Sequence, residues 1–424
     1  MRRRFNFSKF SKNRFKGLLL WFYPGLGIKR WVLFSTFGIF LLIVGVANFQ
    51  SEKFIFIKIL NLIVFSCGVI ILILGIIRLL RSFLNLFLPH ADKNLADIMI
   101  QKRQLLRGPR IVAIGGGTGL SVLLEGLKKY TSNITAIVTV ADSGGSSGRL
   151  RREFDILPPG DIRNCLVALA DAPALMRDLF QFRFNKTSEL EGHSFGNLFI
   201  TVMTQLTGDF ERAIRESSKV LAIRGQVIPS TLNKIVLVAR YKDGSIVEGE
   251  DQIPKKRYPI ETVYLKCMDS QHINATTEAI KAINEAEVIV LGPGSLYTSI
   301  IPNLLVKEIT NAVVLSSAMK VYVCNIMTQY GETDNYTASD HLKAIVKHSH
   351  PKLIDCCIIN KSDIPEWLLK RYREDNSFPV VADTDKIRAL RYRVIEEDVT
   401  SVGEFIRHDS DKLARLILGL IEEF

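Results

Sequence analysis

At residues 110–130 a short apolar run, RIVAI, enters Gly115-Gly116-Gly117-Thr118-Gly119 and passes without a break into the helix-periodic segment LSVLLEGLKKY. Four glycines between a strand and a helix leave few alternatives. Lacking β-carbons, such a backbone can approach a ligand closely, and the helix that follows opens with N–H groups free to meet an anion. This turn suits a diphosphate at the carboxyl end of a strand in an α/β sheet. A G-x-G-x-x-G fingerprint starting at Gly115 would need glycine at 120, where the chain has Leu120, and no Gly-Lys-Ser/Thr follows for a P-loop. A plain tight turn is the competing reading, and four glycines weigh against it.

From residue 110 onward, short β-rich runs alternate with helical patterns. Strands are expected at 111–114, 134–140, 235–241, 263–265, 288–291, 321–325 and 354–359. Helices are expected at 120–130, 162–170, 195–206, 210–220, 276–285, 339–348 and 411–423. Most of the strands are continuous apolar runs, which places them in a mostly parallel sheet covered on both faces, a doubly wound α/β unit. IVLVARY, Asp243-Gly244 and SIVEGE read instead as an antiparallel hairpin, a small insertion between two halves of the sheet.

Ligands of such sheets bind beyond the carboxyl ends of the strands, and two further loops stand there. Asp142-Ser143-Gly144-Gly145-Ser146-Ser147-Gly148-Arg149 follows the run ITAIVTV. Asp142 is spaced to meet a ribose or a metal ion, and one of Arg149, Arg151 and Arg152 is expected on a phosphate. The chain continues into Asp161-Ile162-Arg163-Asn164, where Asp161 is either a helix N-cap or a ligand group. Gly292-Pro293-Gly294-Ser295-Leu296-Tyr297-Thr298 follows EVIVL and offers a second anion cradle, so an elongated ligand such as a nucleotide sugar or dinucleotide is implied. His193 and Asn197 begin another helix, where His193 either caps it or touches the ligand.

The N-terminal quarter obeys different rules. Two uncharged runs, 31–47 and 59–77, each have the length that crosses a hydrocarbon core. Nine Lys and Arg with no acid precede the first, seven follow the second, and the short connection holds Glu52, Lys53 and Lys58. That asymmetry predicts a transmembrane helical hairpin with both flanks, and the α/β unit, on the cytoplasmic side of the inner membrane. A cleaved signal peptide is the alternative, and no small-residue cleavage site supports it. Residues 82–88 read as an interfacial segment or a linker. Residues 1–104 are thus set apart from an α/β domain over 105–424.

Charge is segregated in the same way. Residues 1–110 carry 18 Lys and Arg against 3 Asp and Glu, leaving 37 against 40 for the rest. A nucleic-acid binder would carry its excess on the folded domain, so nucleic acid is not an expected partner. The six cysteines form no C-x-x-C, so neither a disulfide framework nor a zinc site is expected. His348 and His350 read as a solvated surface pair. No G-x-S-x-G, H-E-x-x-H or paired glutamates mark a nucleophile and its base, which favours binding over catalysis.

IVAIGGGTGLSVLLEGLKKY, VTVADSGGSSGRLRREFDILPPGDIRNCLVALAD, LFQFRFN, GHSFGNLFI, VLAIRGQVIPST, VIVLGPGSLYTSIIPNLL and KVYVCNIMTQYGETDNYTASDHLKAI resemble, in order, the YvcK type of gluconeogenesis factor. That family is related to CofD, the 2-phospho-L-lactate transferase of deazaflavin cofactor synthesis. The resemblance implies a Rossmann-like fold, binding of UDP-sugars such as UDP-N-acetylglucosamine, and a role in cell shape and envelope synthesis on gluconeogenic carbon. It implies no demonstrated reaction. At matching positions the ligand would meet Gly115–Gly119, Asp142–Arg149, Asp161–Asn164, His193–Asn197 and Gly292–Thr298. Where the family commonly has an Asp-Asp pair this chain has Asp142-Ser143, which weakens the case for Mg²⁺-assisted transfer. The resemblance does not cover residues 1–105.

The leading expectation is a membrane-tethered UDP-sugar-binding regulator with no catalytic residue assigned and no confident cofactor, the UDP-sugar being the ligand and Mg²⁺ an option that Asp142 could hold. A Mg²⁺-dependent CofD-like transferase is the alternative, and an NAD-dependent oxidoreductase a weaker one. A homodimer is the expected assembly.

Overall fold

The computed structural model describes residues 28–51, 54–87, 95–185, 189–269 and 272–423. It divides into two compact units, Met1–Ile100 and Gln101–Phe424. Most of the leading basic cluster, on which the expected orientation rests, lies outside the described residues, as do Glu52 and Lys53.

The first unit contains two helices, Ile28–Ser51 and Ile55–Phe87. By length and composition both can cross a membrane, with mean hydropathy of 2.0 over Arg30–Ala47 and 2.8 over Ile55–Ser82. Residues 82–87 continue the second helix and are not a separate interfacial segment. Glycines seven residues apart on each helix let the backbones meet: a β-carbon on Gly38 would stand 2.8 Å from the Leu72 nitrogen, and one on Gly68 would stand 2.9 Å from the Leu42 nitrogen. Gly45 and Gly75 are closed off in the same way by Phe65 and Ser35. Small residues at the seam and large ones outside are how helices associate where no water drives them together.

In the second unit, β1 (Ile111–Gly115), β2 (Ile134–Val138), β3 (Gln226–Pro229), β7 (Val288–Leu291), β8 (Met319–Val323), β9 (Cys356–Asn360) and β10 (Arg393–Glu397) form one sheet. Its order is β10-β9-β8-β7-β1-β2-β3, and every pairing is parallel. β1, β2, β7 and β8 are buried along their whole length, as continuous apolar runs require. Between the two halves lies a three-stranded antiparallel sheet, β5 (Ile246–Glu248), β4 (Ile235–Tyr241) and β6 (Ile260–Cys267). Its hairpin turns at Asp243-Gly244, with Gly244 at φ +82° and the Asp243 carboxylate accepting from the Ser245 N–H at 2.9 Å. A last pair, β11 (Thr400–Val402) and β12 (Ile406–His408), is antiparallel and leads into the C-terminal helix Ser410–Glu423, which packs on Gly117–Leu127.

The strands that the hydrophobic pattern misses are β3 and β10, at the two edges of the sheet, and the short β11 and β12. Edge strands have one side without a neighbour, so QVIP can end in proline and RVIEE can carry two glutamates, and neither reads as an apolar run. Gly145–Phe154, expected as loop, is a helix whose Ser146, Ser147, Gly148 and Leu150 are buried. His348 is not part of a solvated pair. It is half-buried and its Nε2 accepts from the Val263 N–H at 3.0 Å, which ties β6 to the helix Ala338–His348.

Candidate functional site

The chain winds outward from β1 through β2 to β3, then returns to β7 on the other side of β1 and winds the opposite way. Two crossover loops therefore part at the carboxyl ends of β1 and β7, the switch point where α/β sheets open a crevice. Both glycine turns sit there, side by side on neighbouring strands. A β-carbon on Gly119 would stand 2.6 Å from the Pro293 carbonyl oxygen, and one on Gly294 would stand 3.3 Å from the Gly116 oxygen. Asn303, fully buried, clamps them: its Nδ2 donates to the Gly115 carbonyl at 3.0 Å and the Ser299 carbonyl at 2.8 Å. Neither turn is capped by the residue at its own N-cap, Gly116 or Ser295. Carboxylates from elsewhere take one N–H of each, Asp161 that of Gly117 and Glu332 that of Tyr297, and an anion would have to use the other N–H groups of these first turns.

A cleft of about 520 Å³ opens above them. Gly116–Gly119, Asp142, Asp161, Gly294, Ser295 and Thr298 line it, and so do Glu250, Asn325–Gln329, Arg407 and His408. Carboxylates crowd its floor. Asp161 does not cap its helix, where Pro159 holds the N-cap position; it accepts a hydrogen bond from the Gly117 N–H. Burial, reinforced by the charge of Asp142, pushes the Asp161 carboxyl up to about 7. Burial also raises Asp142, and burial with the charges of Asp142 and Asp161 takes Glu250 up to about 8. Behind Thr298, buried Glu332 accepts from the Thr298 hydroxyl at 3.2 Å and from Gln329 at 2.8 Å, and burial pushes it up to about 7. His408 is pulled down to about 4 by burial; as neutral imidazole it donates from Nε2 to the Cys324 carbonyl at 3.2 Å. Among the described residues no three His, Cys, Asp or Glu side chains gather as a ready-made metal cage.

The remaining expected residues divide between a second cavity and a supporting layer. Asp142, Gly144, Gly145, Ser146, Ser147, Asp161, Arg163, Asn164 and Asn197 line a smaller cavity of about 240 Å³ that shares Asp142 and Asp161 with the cleft. Ser143 donates to Asp251 at 2.7 Å. Buried His193 neither caps nor lines: Ser194 caps the helix Phe195–Thr207, and His193 Nδ1 stands 3.0 Å from the Ser146 hydroxyl. Tyr297 is buried against Tyr336, with hydroxyls 2.7 Å apart. Gly115 and Gly292 support the turns from below, Gly292 at φ +78°. Arg149 binds the Glu191 carbonyl and Arg151 the Ile235 carbonyl at 2.6 Å, and Arg152 lines neither cavity, so none of the three expected arginines reaches the cleft.

Among the described residues the cation that lines the cleft is Arg407, on β12 nearly 300 residues along the chain from the first glycine turn. Glu250 comes from the turn after β5, and Asn325–Gln329 from the loop after β8. Only the last of these carries a sequence signal, as the polar segment NIMTQ directly after an apolar strand.

With this geometry the comparisons with known proteins agree. The family described as 2-phospho-L-lactate transferase CofD matches residues 111–400. The chain is similar to a putative gluconeogenesis factor of Nostoc sp., 47% identical over 420 residues that cover 94% of this chain and 91% of that one. It is also similar to a gluconeogenesis factor of Bacillus subtilis, 50% identical over 316 residues that cover 74% of this chain and 99% of that one. A crystal structure of a protein from Bacillus halodurans, 48% identical, superposes with a TM-score of 0.71 over 73% of this chain and 99% of that one. The Nostoc match takes in most of the N-terminal quarter, whereas the Bacillus matches are the size of the α/β unit. The chain belongs to the gluconeogenesis factor family, whose α/β unit is that of CofD.

Proposed function

We propose that the cleft binds a nucleotide sugar of the UDP-N-acetylglucosamine kind, and that the chain is a membrane-tethered regulator of gluconeogenic growth, cell shape and envelope synthesis that reads the supply of this precursor. The observation that carries the reading is the pair of glycine turns side by side at the β1/β7 switch point, neither capped by its own N-cap side chain. A diphosphate fits two adjacent cradles better than one phosphate does. Polar groups on the far wall, Asn325, Thr328 and Gln329, offer partners for sugar hydroxyls, and Asn325 Oδ1 has no partner among the described residues. The tether is supported by the two helices long and apolar enough to span.

A diphosphate beside Asp142, Asp161 and Glu250 raises a charge problem. Two solutions fit the residues: a Mg²⁺ that shares one or two of these carboxylates with the ligand's phosphate oxygens, which is how this ion is usually held, or protons retained on the carboxyls. The reading therefore predicts that, without Mg²⁺, affinity for UDP-N-acetylglucosamine rises as pH falls from 8 to 6, while Asp161 and Glu250 take up protons. Mg²⁺ should flatten that dependence. Calorimetric titration of the full chain in detergent tests both parts, with UMP as comparison. UMP is expected at least tenfold weaker; equal Kd values would leave the sugar and second phosphate with no role and sink the sensor.

A second reading, a Mg²⁺-dependent CofD-like transferase, is favoured by one observation: Asp142 and Asp161 line the cleft together, and Asp161 Oδ2 would stand 2.5 Å from a Gly116 β-carbon. It predicts product formation that Asp142→Asn abolishes while the fold melts normally.

A further inference from the structure

The smaller cavity, about 240 Å³, is left without a task by the proposed function. It lies behind the two carboxylates, since Asp142 and Asp161 line both spaces, and unlike the cleft it sets two arginines beside them. Arg163 and Arg183 both line it, and among the described residues neither has an ion-pair partner. The charge of Arg183, after burial itself, is what pulls the Arg163 guanidinium down to about 10. Asp161 and Asp142 on the shared wall offset part of that charge, so the case for an occupant rests on the donors and acceptors that remain unpaired. The start of the helix Gly145–Phe154 adds its N–H groups to the same wall, with Gly144 at the N-cap and no capping side chain.

Two unsatisfied atoms define what the occupant must do. Arg163 is 6% exposed. It spends Nη1 on the Ser194 hydroxyl at 2.5 Å and Nη2 on Asn164 Oδ1 at 2.6 Å, while its Nε, a donor, has no partner among the described residues. Asn197 is 2% exposed; its Nδ2 donates to Ser146 at 3.1 Å, and its Oδ1, an acceptor, is likewise unpartnered. Buried polar atoms without partners are rare in native folds. A bare anion would satisfy the first and not the second, because it has no proton to give.

We propose that this cavity is a separate subsite for a small oxyanion that also carries a hydroxyl, a hydroxycarboxylate or a protonated phosphate, held by Arg163, Arg183 and Asn197 behind the Asp142 and Asp161 wall. The oxyanion accepts from the guanidinium groups and the helix start, and the hydroxyl donates to Asn197 Oδ1. The protein then reads two ligands across one pair of carboxylates, the nucleotide sugar on one side and a small acid on the other. The inference rests on the proposed function only for the identity of the first ligand.

The test is calorimetric titration of the full chain in detergent with inorganic phosphate, D-glycerate and acetate, each with UDP-N-acetylglucosamine already saturating. Phosphate or glycerate is expected to bind saturably, and whichever binds tighter identifies the occupant's class; acetate, which has no hydroxyl, should be at least tenfold weaker. Arg183→Gln, at an exposed residue outside the cleft, and the near-isosteric Asn197→Asp should each weaken the better probe at least tenfold. Arg183→Gln should leave the Kd for UDP-N-acetylglucosamine unchanged. The subsite is overturned if neither probe saturates, if acetate binds as well, if both variants bind normally, or if the nucleotide sugar competes with the probe. Should UDP-N-acetylglucosamine itself not bind, the titration without it still decides the matter, because Arg183 lines the second cavity alone.

Discussion

In the helical hairpin Leu33 and Phe56 stand outside, 69% and 77% exposed, and glycines fill the seam; in the α/β unit Leu120, Ile289 and Val321 are fully buried and most charged residues outside the site stand at the surface. The same residue types serve opposite surfaces because the two units are built for different surroundings. Burial of apolar area drives the α/β unit together in water, whereas close backbone contact holds two helices whose outer faces can remain apolar. Under the proposed function, the hairpin would hold the chain at a membrane and the α/β unit would bind, so that each can be altered without the other.

The most severe way to test that separation is to delete residues 1–100. The remaining unit has the extent of the Bacillus relatives, so it should move entirely from the membrane fraction to the supernatant after centrifugation and bind UDP-N-acetylglucosamine within twofold of the full chain. A soluble fragment that does not bind would mean that the hairpin contributes to the site.

Truncating equal leucines on the two sides sharpens the contrast. Leu124→Ala, in the core of the α/β unit, should cost about 2–5 kcal/mol in urea unfolding, while Leu33→Ala should change stability by less than about 0.5 kcal/mol. Similar losses at the two sites would contradict the inside-out arrangement. Stability should also depend on pH in one unit only. The folded α/β unit holds Asp161 up to about 7 and Glu250 up to about 8, whereas both ionise near pH 4 once unfolded. Between these limits the folded state keeps protons on these two groups that the unfolded state has lost, so their contribution falls as pH rises from about 4 to about 8. His408, pulled down to about 4, works the other way up to about 6.5, so the net fall is expected between about 6.5 and 8. Thermal melts of the full chain should follow that slope, and Asp161→Asn should make it shallower; an unchanged slope would remove Asp161 as its source. At the hairpin seam, Gly68→Leu should loosen helix pairing by about 1–3 kcal/mol and leave ligand affinity as it was.

What the sequence reveals follows from how far apart the contributing residues lie. The central strands β1 and β7 are legible because burial on both faces demands an unbroken apolar run, and the glycine turns are legible because each stands within one strand–loop–helix unit. Edge strands β3 and β10 are not, since a strand with one neighbour tolerates proline and glutamate. The arginines show the same limit at the site. Arg149, Arg151 and Arg152 follow the serine-rich loop in sequence, but they lie along a helix that turns them to the Glu191 and Ile235 carbonyls and to solvent. Arg407 and Glu250 reach the cleft from distant segments, and no local pattern marks them. The glycine seam of the hairpin is visible only once the two helices are paired.

The central claim is that the cleft holds a nucleotide sugar and leaves it intact. Phosphorus NMR of the full chain in detergent, mixed near stoichiometrically with UDP-N-acetylglucosamine and Mg²⁺ and followed overnight, tests it most directly. Diphosphate lines that shift or broaden on mixing and then persist unchanged are the predicted result. Lines that never move, or new phosphorus lines that grow with time, would contradict it, the first by removing the ligand and the second by making the protein a transferase.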